Sequence, residues 1–253
     1  MSHHMIEVKD LHYIYSDGHK AVNGMSFKIH HGESVGIIGA NGAGKSTLLM
    51  LLMGLLFPSK GEIRVGEVLV TKKTLPIIRQ RMGMVFQNPD DQLFMTTVYD
   101  DVAFGPRNYK LTEQEVEKRV LEALEMVGIL HLKDRAPFKL SGGEKRAAAI
   151  ATVLAMQPDI LVMDEPSTAL DPKSRRRLMN LLKSFEHTKI ITSHDLDMVY
   201  ELCTRTIVIK NGEIAADGPT SEILVNAELL DDCGLEMPLA LQGCPVCGVK
   251  GVK

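Results

Sequence analysis

Residues 39–46 carry the residue types that bind phosphate groups. They read Gly-Ala-Asn-Gly-Ala-Gly-Lys-Ser, a match to the pattern Gly-x-x-x-x-Gly-Lys-Ser/Thr. In such a loop the glycines allow consecutive backbone N–H groups to turn toward phosphate oxygens, and the following helix N-terminus adds positive potential. Lys45 is then expected to reach the terminal phosphates, and the Ser46 hydroxyl to ligate Mg²⁺. We therefore predict that the chain binds a nucleoside triphosphate.

The elements predicted on both sides of this loop support that prediction. The apolar stretch 34–38 indicates a strand, and the stretch 48–56, apolar on every side, indicates a buried helix. A phosphate-binding loop requires this order of strand, loop and helix. The pattern alone would arise in roughly 1% of random chains of this length.

Two consecutive carboxylates, Asp164 and Glu165, follow an apolar strand predicted at 160–163. Asp164 is placed to enter the Mg²⁺ shell, and Glu165 to orient or deprotonate an attacking water. Two acids after a strand are often only a solvated turn. Their occurrence with a phosphate loop, and directly before Pro166, favours the catalytic interpretation.

The run Leu-Ser-Gly-Gly-Glu at 140–144 has a structural and a functional explanation. Ser141 and Glu144 form a capping box, which accounts for the start of a helix. A capping box does not account for Gly142 and Gly143, which reduce helix stability in a first turn. Exposed N–H groups at a helix N-terminus suit an anion, here a γ-phosphate.

Strands and helices alternate along the rest of the chain. Further strands are predicted at 62–65, 82–86 and 189–192, further helices at 112–128, 141–156 and 173–185, and a hairpin at 206–216 that turns at Asn211-Gly212. This alternation predicts an α/β fold with a mainly parallel sheet, preceded by an antiparallel β portion within the first thirty residues. A helical block at about 95–155 is expected to form a subdomain inserted in a domain over 5–225, and residues 226–253 an appendage without periodicity.

Composition excludes several classes of protein. Among 253 residues the formal net charge is −3, Trp is absent and aromatic residues make up 5%, which argues against nucleic-acid binding. Four cysteines do not make a disulfide scaffold in a chain of this size. The most apolar stretches are about half of the ~20 residues that a membrane-spanning helix needs, and the first five residues do not resemble a signal peptide. We therefore expect a cytosolic protein that needs a partner to act at a membrane.

The order of these motifs resembles that of the ATP-binding cassette (ABC) ATPases over nearly the whole chain, to about residue 225. The phosphate loop, Leu-Ser-Gly-Gly-Glu, Asp164-Glu165, the run Ser-Thr-Ala-Leu-Asp at 167–171 and His194 follow in the family's order. The resemblance implies that two such domains pair head to tail. The Leu-Ser-Gly-Gly-Glu run of one domain, called the signature below, then faces ATP held by the other.

The resemblance also assigns roles. It implies Glu165 as the general base, His194 as the switch histidine on the γ-phosphate, and Asp171 as the residue that couples the two sites. The implied ATP-binding residues are Tyr15, which stacks on adenine, with Gly39, Ala40, Asn41, Gly42, Ala43, Gly44, Lys45, Ser46, Thr47 and Gln87. The implied Mg²⁺ ligands are Ser46, Gln87 and Asp164, and the implied signature residues acting in trans are Ser141, Gly142, Gly143 and Glu144. Tyr13 competes with Tyr15 for the adenine.

The stretches 87–94 and 97–107 resemble the ATPases of energy-coupling-factor importers, particularly those for cobalt and nickel and their vitamin-importing relatives. In that group this stretch receives a coupling helix of a transmembrane subunit. The resemblance therefore implies integral membrane partners, a second ABC ATPase that is either a copy or a paralogue, and a peripheral location on the cytoplasmic face of the membrane. The transported cargo is not encoded in such a subunit.

Two other functions stay open. One is a non-transport ABC ATPase that acts as a nucleotide-gated scaffold in a soluble assembly, which the stretch 87–107 disfavours. The other is an ATP binder without turnover, which Asp164, Glu165 and His194 disfavour.

Two features do not follow the family pattern. Residues 145–148 read Lys-Arg-Ala-Ala, where family members commonly show a glutamine. Cys244 and Cys247 form a C-x-x-C pair that supplies only two of the four ligands of a structural zinc site, so ordinary reduced thiols are the favoured interpretation.

Overall fold

The structure is a computed structural model, and it describes residues 4–242. Its strands are β1 (His4–Ile14), β2 (Lys20–His30), β3 (Ser34–Ile38), β4 (Lys60–Val65), β5 (Val68–Leu69), β6 (Met82–Val85), β7 (Ile160–Asp164), β8 (Thr188–Thr192), β9 (Arg205–Lys210) and β10 (Glu213–Pro219). Its α-helices are α1 (Lys45–Leu52), α2 (Leu75–Arg81), α3 (Val98–Asn108), α4 (Glu113–Met126), α5 (Gly142–Leu154), α6 (Pro172–Ser184), α7 (Leu196–Leu202), α8 (Thr220–Ile223) and α9 (Ala227–Asp232).

The chain divides into two compact units, one formed by residues up to Ile78 and from Thr188 onward, the other by Arg79–His187. The first unit contains a four-stranded sheet in the order β2-β1-β4-β5, and all its pairs are antiparallel. The apolar side chains Ile6, Val8 and Leu11 are buried along β1, and an irregularity between Val8 and Leu11 keeps them on the core face. The expected N-terminal antiparallel portion is confirmed.

The first unit also contains the parallel strands that lead to the phosphate loop. Strand β3 pairs in parallel with β8 on one side and with β9 on the other, and β9 continues into the antiparallel hairpin with β10. All five residues of β3 and of β8 are buried. Strands that are buried along their whole length belong to parallel sheets that are covered on both faces.

The second unit contains the parallel pair β6 and β7 with the helices α3 to α6. Helix α4 buries one face, formed by Val116, Val120, Ala123 and Leu124, as the helical period predicts. Thr112 caps this helix by accepting the N–H of Glu115, while the carboxylate of Glu115 accepts a hydrogen bond from Arg119. The α/β class and the parallel strands are thus confirmed. The domain limits proposed from sequence stay predictions.

Three elements differ from their predicted extent. Helix α1 ends at Leu52 rather than at residue 56, because Gly54 adopts the left-handed conformation with φ 63°. Helix α2 lies in a segment that the sequence indicated only as a polar connection. Residues 220–232, around the start of the expected appendage, form the short helices α8 and α9.

No helix between residues 4 and 242 is both long and apolar enough to span a bilayer. In the same part of the chain the two cysteines, Cys203 and Cys233, are free thiols and buried. The pair Cys244 and Cys247 lies outside the described residues.

Candidate functional site

The phosphate loop joins β3 to α1 in the first unit. Gly44 caps α1 with φ 108°, a conformation that L side chains rarely adopt, and an added Cβ would collide with the carbonyl oxygen of Ala21. Gly39, at the other end of the loop, is closed in by the backbone of Ile209 in the same way. Because Gly44 has no side chain, the N-terminus of α1 receives no side-chain cap. A helix N-terminus of this kind suits an external anion.

Lys45 lies at the centre of this loop and is buried. Its ammonium donates hydrogen bonds to the carbonyl oxygens of Gly39 at 2.8 Å and Ala40 at 3.1 Å. The Nε2 atom of His194 lies 3.4 Å from Lys45 Nζ. The structure therefore brings together the lysine and the histidine that sequence reasoning assigned to the terminal phosphate.

His194 follows β8, at the carboxyl end of a parallel strand, where such sheets bind ligands. Two hydrogen bonds of the neighbouring residues order the backbone around His194. The N–H of Asp195 donates to Ser193 Oγ at 3.0 Å, and the Asp195 carboxylate accepts the N–H of Met198 at 2.9 Å at the start of α7. Helix α7 in turn packs on β3 at Gly36.

Tyr15 lies one residue beyond the end of β1. Its hydroxyl is hydrogen-bonded to Thr47 Oγ1 in α1 at 3.0 Å, and its ring stacks on that of His19, 6.3 Å between centroids. Tyr13 contacts the Tyr15 ring edge to face at 4.9 Å. Tyr15 is therefore bonded directly to a residue of the phosphate-loop helix, and Tyr13 supports Tyr15.

The two carboxylates lie at the end of β7 in the second unit. Asp164 is 5% and Glu165 6% exposed, so they do not form the solvated turn that was the alternative. Glu165 has φ 47°, a left-handed backbone that costs a residue with a side chain about 1–2 kcal/mol. Such local strain concentrates at functional sites.

The signature residues open helix α5, and the predicted capping box is confirmed. The N–H of Ser141 donates to Glu144 Oε2 at 2.7 Å, and the N–H of Glu144 donates to Ser141 Oγ at 3.4 Å. The hydrogen bond from the Ser141 N–H is the main cause that lowers the pKa of Glu144. The capping box therefore holds Glu144 as an anion while the two glycines remain at the helix N-terminus.

Asp171 caps helix α6 and lies near the signature. Its carboxylate accepts hydrogen bonds from the N–H groups of Lys173 and Ser174 and, at 2.6 Å, from the Ser174 hydroxyl. The Ser174 hydroxyl is the main cause that lowers the pKa of Asp171. A Cβ on Gly143 would lie 3.0 Å from Ser174 Oγ. Sequence reasoning missed Ser174, and its spacing of three residues from Asp171, typical of a helix cap, was the available signal.

Gln87 follows β6 and is exposed, whereas its backbone carbonyl accepts a hydrogen bond from Arg146 of helix α5. A cleft of about 430 Å³ in the second unit is lined by Gln87, Gly142, Arg146 and Thr168 among others. The cleft places Gln87 and the signature on one surface. Arg146 was noted in the sequence only as part of a departure from the family pattern.

The three residues assigned to Mg²⁺ offer the donors that this ion prefers. Ser46 contributes a hydroxyl, Asp164 a carboxylate and Gln87 an amide oxygen, and all three are hard oxygen ligands. Ser46 and Gln87 keep solvent-accessible surface, and Asp164 ends its strand. The chemistry of this donor set fits magnesium.

Further along the chain from Gln87, two phenylalanines form an exposed apolar pair. Phe94 is 63% and Phe104 40% exposed, and their rings meet edge to face at 4.9 Å. The loop that carries Phe94 is held by Asp101, whose Oδ1 atom accepts the N–H groups of Phe94 and Met95 at 2.9 and 3.0 Å. The exposure of Phe104 shows that much of its ring is not packed.

A strand–loop–helix phosphate site with a buried lysine, together with a capped Ser-Gly-Gly-Glu helix, defines the ATP-binding cassette class. The sequence profile of the ABC transporter family matches residues 22–168. A protein of Geobacter sulfurreducens, provisionally described as an ABC transporter ATP-binding protein, is 63% identical over 98% of this chain and 100% of its own length. The chain belongs to the ABC transporter family, and it is an ATP-binding ATPase subunit.

Two further proteins indicate the type of ABC ATPase. The energy-coupling factor transporter ATP-binding protein EcfA of Methanothermobacter thermautotrophicus is 48% identical over 92% of this chain and 77% of its own. The solved structure of CbiO1 from Clostridium perfringens, described as part of the ABC transporter complex CbiONQ, superposes with a TM-score of 0.80 at 41% identity. That match covers 90% of this chain and 94% of CbiO1. The chain is thus an ABC ATPase of the energy-coupling factor type.

Proposed function

We propose that this chain hydrolyses Mg²⁺-ATP as one of two ATPase subunits that power an energy-coupling-factor importer. The ABC ATPase domain would extend over residues 5–225, and the complex would place it peripherally on the cytoplasmic face of the membrane. The observation that carries the proposal is the position of Lys45 Nζ, which lies within hydrogen-bond reach of two loop carbonyls and 3.4 Å from His194 Nε2. Both groups are thus available to one terminal phosphate.

Each residue has a role in the proposed reaction. The loop N–H groups of residues 39–47 and the Lys45 ammonium bind the phosphates, and Tyr15 stacks on adenine. Ser46, Gln87 and Asp164 would hold Mg²⁺, which when bound neutralises phosphate charge. Glu165 orients and deprotonates the attacking water, and His194 contacts the γ-phosphate. Phosphoryl transfer demands mainly positioning and charge stabilisation, which buried side chains supply well.

The second subunit, a copy or a paralogue, completes each site in the proposed mechanism. The signature residues Ser141–Glu144 of one subunit would bind the γ-phosphate held by the other, with the N–H groups of Gly142 and Gly143 as donors, and Asp171 would couple the two sites. ATP closes the dimer, and hydrolysis reopens it. The capped, glycine-rich start of helix α5 supports this role, because the space beside Gly142, where a Cβ would lie, is open.

The Phe94–Phe104 pair supports a partner in the membrane. An exposed apolar pair, with Phe94 on a loop held by Asp101 and Phe104 on helix α3, suits the apolar face of a short helix from a transmembrane subunit. The relatives named EcfA and CbiO1 are described as parts of transporters, which supports a role in transport. An importer with cobalt, nickel or a vitamin as cargo is what the sequence resemblance of residues 87–107 implies. A soluble scaffold that uses the same ATP cycle is the alternative, and it leaves the phenylalanine pair without a function.

The shared-site mechanism is tested by replacing Glu165 with Gln. This variant is expected to bind ATP without turnover and to run as a dimer in light scattering, because closure is no longer followed by hydrolysis. Wild-type protein in Mg²⁺-ATP is expected to be mostly monomeric. A variant that binds ATP yet stays monomeric at high protein concentration contradicts the mechanism.

Two controls separate binding from turnover. Lys45→Ala is expected to lose nucleotide binding, whereas His194→Ala is expected to keep binding and lose turnover.

The importer is tested by detergent extraction from the host, capture of this chain and mass spectrometry of the associated proteins. Integral membrane subunits would support transport, and a soluble partner with no membrane-bound chain would refute it.

A further inference from the structure

The turn at residues 86–92, which carries Gln87 and is called the Gln87 turn below, is tied to helix α5 by side chains from both elements. From within the turn, Gln92 forms hydrogen bonds to the turn and to the helix. Its Oε1 atom accepts the N–H of Phe86 at 3.2 Å, and its Nε2 atom donates to the Ala149 carbonyl at 2.8 Å and to Thr152 Oγ1 at 2.7 Å. Lys145 adds an ion pair with Asp90 at 2.6 Å. The turn is therefore fastened to the helix that begins with the signature.

Arg146 of helix α5 forms two hydrogen bonds to the backbone of the turn. Its guanidinium donates from Nη1 to the carbonyl of Phe86 at 2.6 Å and from Nη2 to the carbonyl of Gln87. The side chain is only 3% exposed. Burial lowers the pKa of Arg146, and the negative charge of Asp164 opposes that change. A buried guanidinium thus binds the backbone of the Gln87 turn and interacts electrostatically with the carboxylate assigned to Mg²⁺.

This arrangement depends on the shape of arginine. A guanidinium presents several donors in one rigid plane and can bind two successive carbonyl groups at once. A lysine ammonium is a single point of charge on a flexible stem, so it holds one carbonyl in place less firmly. The family pattern commonly has glutamine near this position, whereas this chain reads Lys-Arg-Ala-Ala at 145–148.

We propose that Arg146 is a positioning residue that fixes the backbone of Gln87 to the signature helix and thereby sets the affinity of the ATPase for Mg²⁺. The proposal rests on the proposed function, because it takes Gln87 and Asp164 as Mg²⁺ ligands. Arg146 touches neither nucleotide nor metal in this role. It acts by holding one ligand through its carbonyl and by placing positive charge beside the other.

The test measures the Mg²⁺ dependence of ATP hydrolysis in wild type, Arg146→Lys and Arg146→Met. Both variants are expected to need about tenfold more Mg²⁺ for half-maximal rate, a factor that corresponds to ~1.4 kcal/mol. Binding of a fluorescent ATP analogue in EDTA is expected to change less than about twofold, because the phosphate loop is unaltered. A defect in folding alone would lower the maximal rate or the melting temperature without this selective change.

Arg119→Met is the matched control. Arg119 belongs to the same unit and pairs with Glu115 on helix α4. Its replacement also deletes one guanidinium, but it leaves the hydrogen bonds from Arg146 to the two carbonyl groups intact. Its Mg²⁺ dependence is expected to equal that of wild type. Should Arg146→Met fail to fold, Arg146→Lys decides alone, because it keeps the charge and one donor.

The outcomes separate this proposal from the proposed function. If the Arg146→Lys protein folds, hydrolyses ATP and needs the same Mg²⁺ concentration as wild type, the positioning role is overturned and the ATPase function stands. Absence of Mg²⁺-dependent hydrolysis in wild type overturns the proposed function itself. An equal loss of affinity for ATP with and without Mg²⁺ in the variant also refutes the proposal, since the effect would then not pass through the metal ligands.

Discussion

Replacing Gly36 with Ala tests how strand β3 and helix α7 hold the phosphate loop and His194 together. A Cβ at Gly36 would lie 2.6 Å from Cγ1 of Val199, about 1 Å inside the ~3.5–4.0 Å at which carbon atoms pack. Val199 is fully buried, so either the helix or the strand must shift. Overpacking of this kind costs about 1–3 kcal/mol. The shift would also move His194, which directly precedes the cap of α7.

A second substitution makes the reasoning quantitative. Val199→Ala removes two buried methyl groups, at ~0.8 kcal/mol each before any cavity term. Independent effects would therefore sum to about 3–5 kcal/mol in the double variant. We expect only about 1–2 kcal/mol, because the methyl added at Gly36 occupies space that Cγ1 leaves, beside Cys203 Sγ at 3.4 Å and Thr206 Oγ1 at 3.5 Å.

Urea unfolding of the wild type, both single variants and the double variant measures this coupling. ATP hydrolysis is expected to fall in Gly36→Ala and to recover in part in the double variant, as α7 returns toward β3. Unfolding free energies that add within ~0.5 kcal/mol would refute the argument, since contacting groups should not be additive.

Two further predictions concern buried ionisable groups. Burial raises the pKa of Asp101, so its carboxyl group binds a proton more tightly in the folded than in the unfolded chain. The protonated carboxyl therefore contributes to stability at low pH, and this contribution is lost as the pH rises above 3.8, the ordinary pKa of an aspartate. Asp101→Asn should therefore gain stability relative to wild type between about pH 4 and pH 7, and a constant difference in melting temperature across that range would contradict this. Burial raises the pKa of Cys203 to about 12, so its thiol should resist iodoacetamide at about pH 8 in native protein and react only after denaturation. Peptide mapping by mass spectrometry measures the labelling, and rapid modification of the native thiol would show that the site is open.

Local sequence patterns were sufficient for much of the fold. The phosphate loop, the capping box at Ser141 and the hairpin turn at Asn211 each depend on residues a few positions apart, and the structure has all three elements where they were expected. The parallel strands were recognisable from short apolar runs, such as residues 160–163 in β7. Helix α2 was missed because its residues follow a polar stretch and bury only Ile78.

Contacts between distant residues could not be predicted in the same way. Arg146 and Phe86 are 60 residues apart, and nothing in either segment indicates that a guanidinium will bind those carbonyls. The unusual run at 145–148 marked the position without indicating its partner. Likewise, Gly36 looks like an ordinary strand residue until α7 is seen to pack on it.

The left-handed backbone of Glu165 has an evolutionary consequence. Glycine adopts this conformation without strain, and a single base change converts a glutamate codon into a glycine codon. Such a mutation would remove the proposed general base and at the same time relieve about 1 kcal/mol of backbone strain. In a duplicated gene that no longer needs turnover, this relief of strain would offset part of the stability lost with the buried side chain. Selection for hydrolysis therefore acts against the local backbone preference at this position.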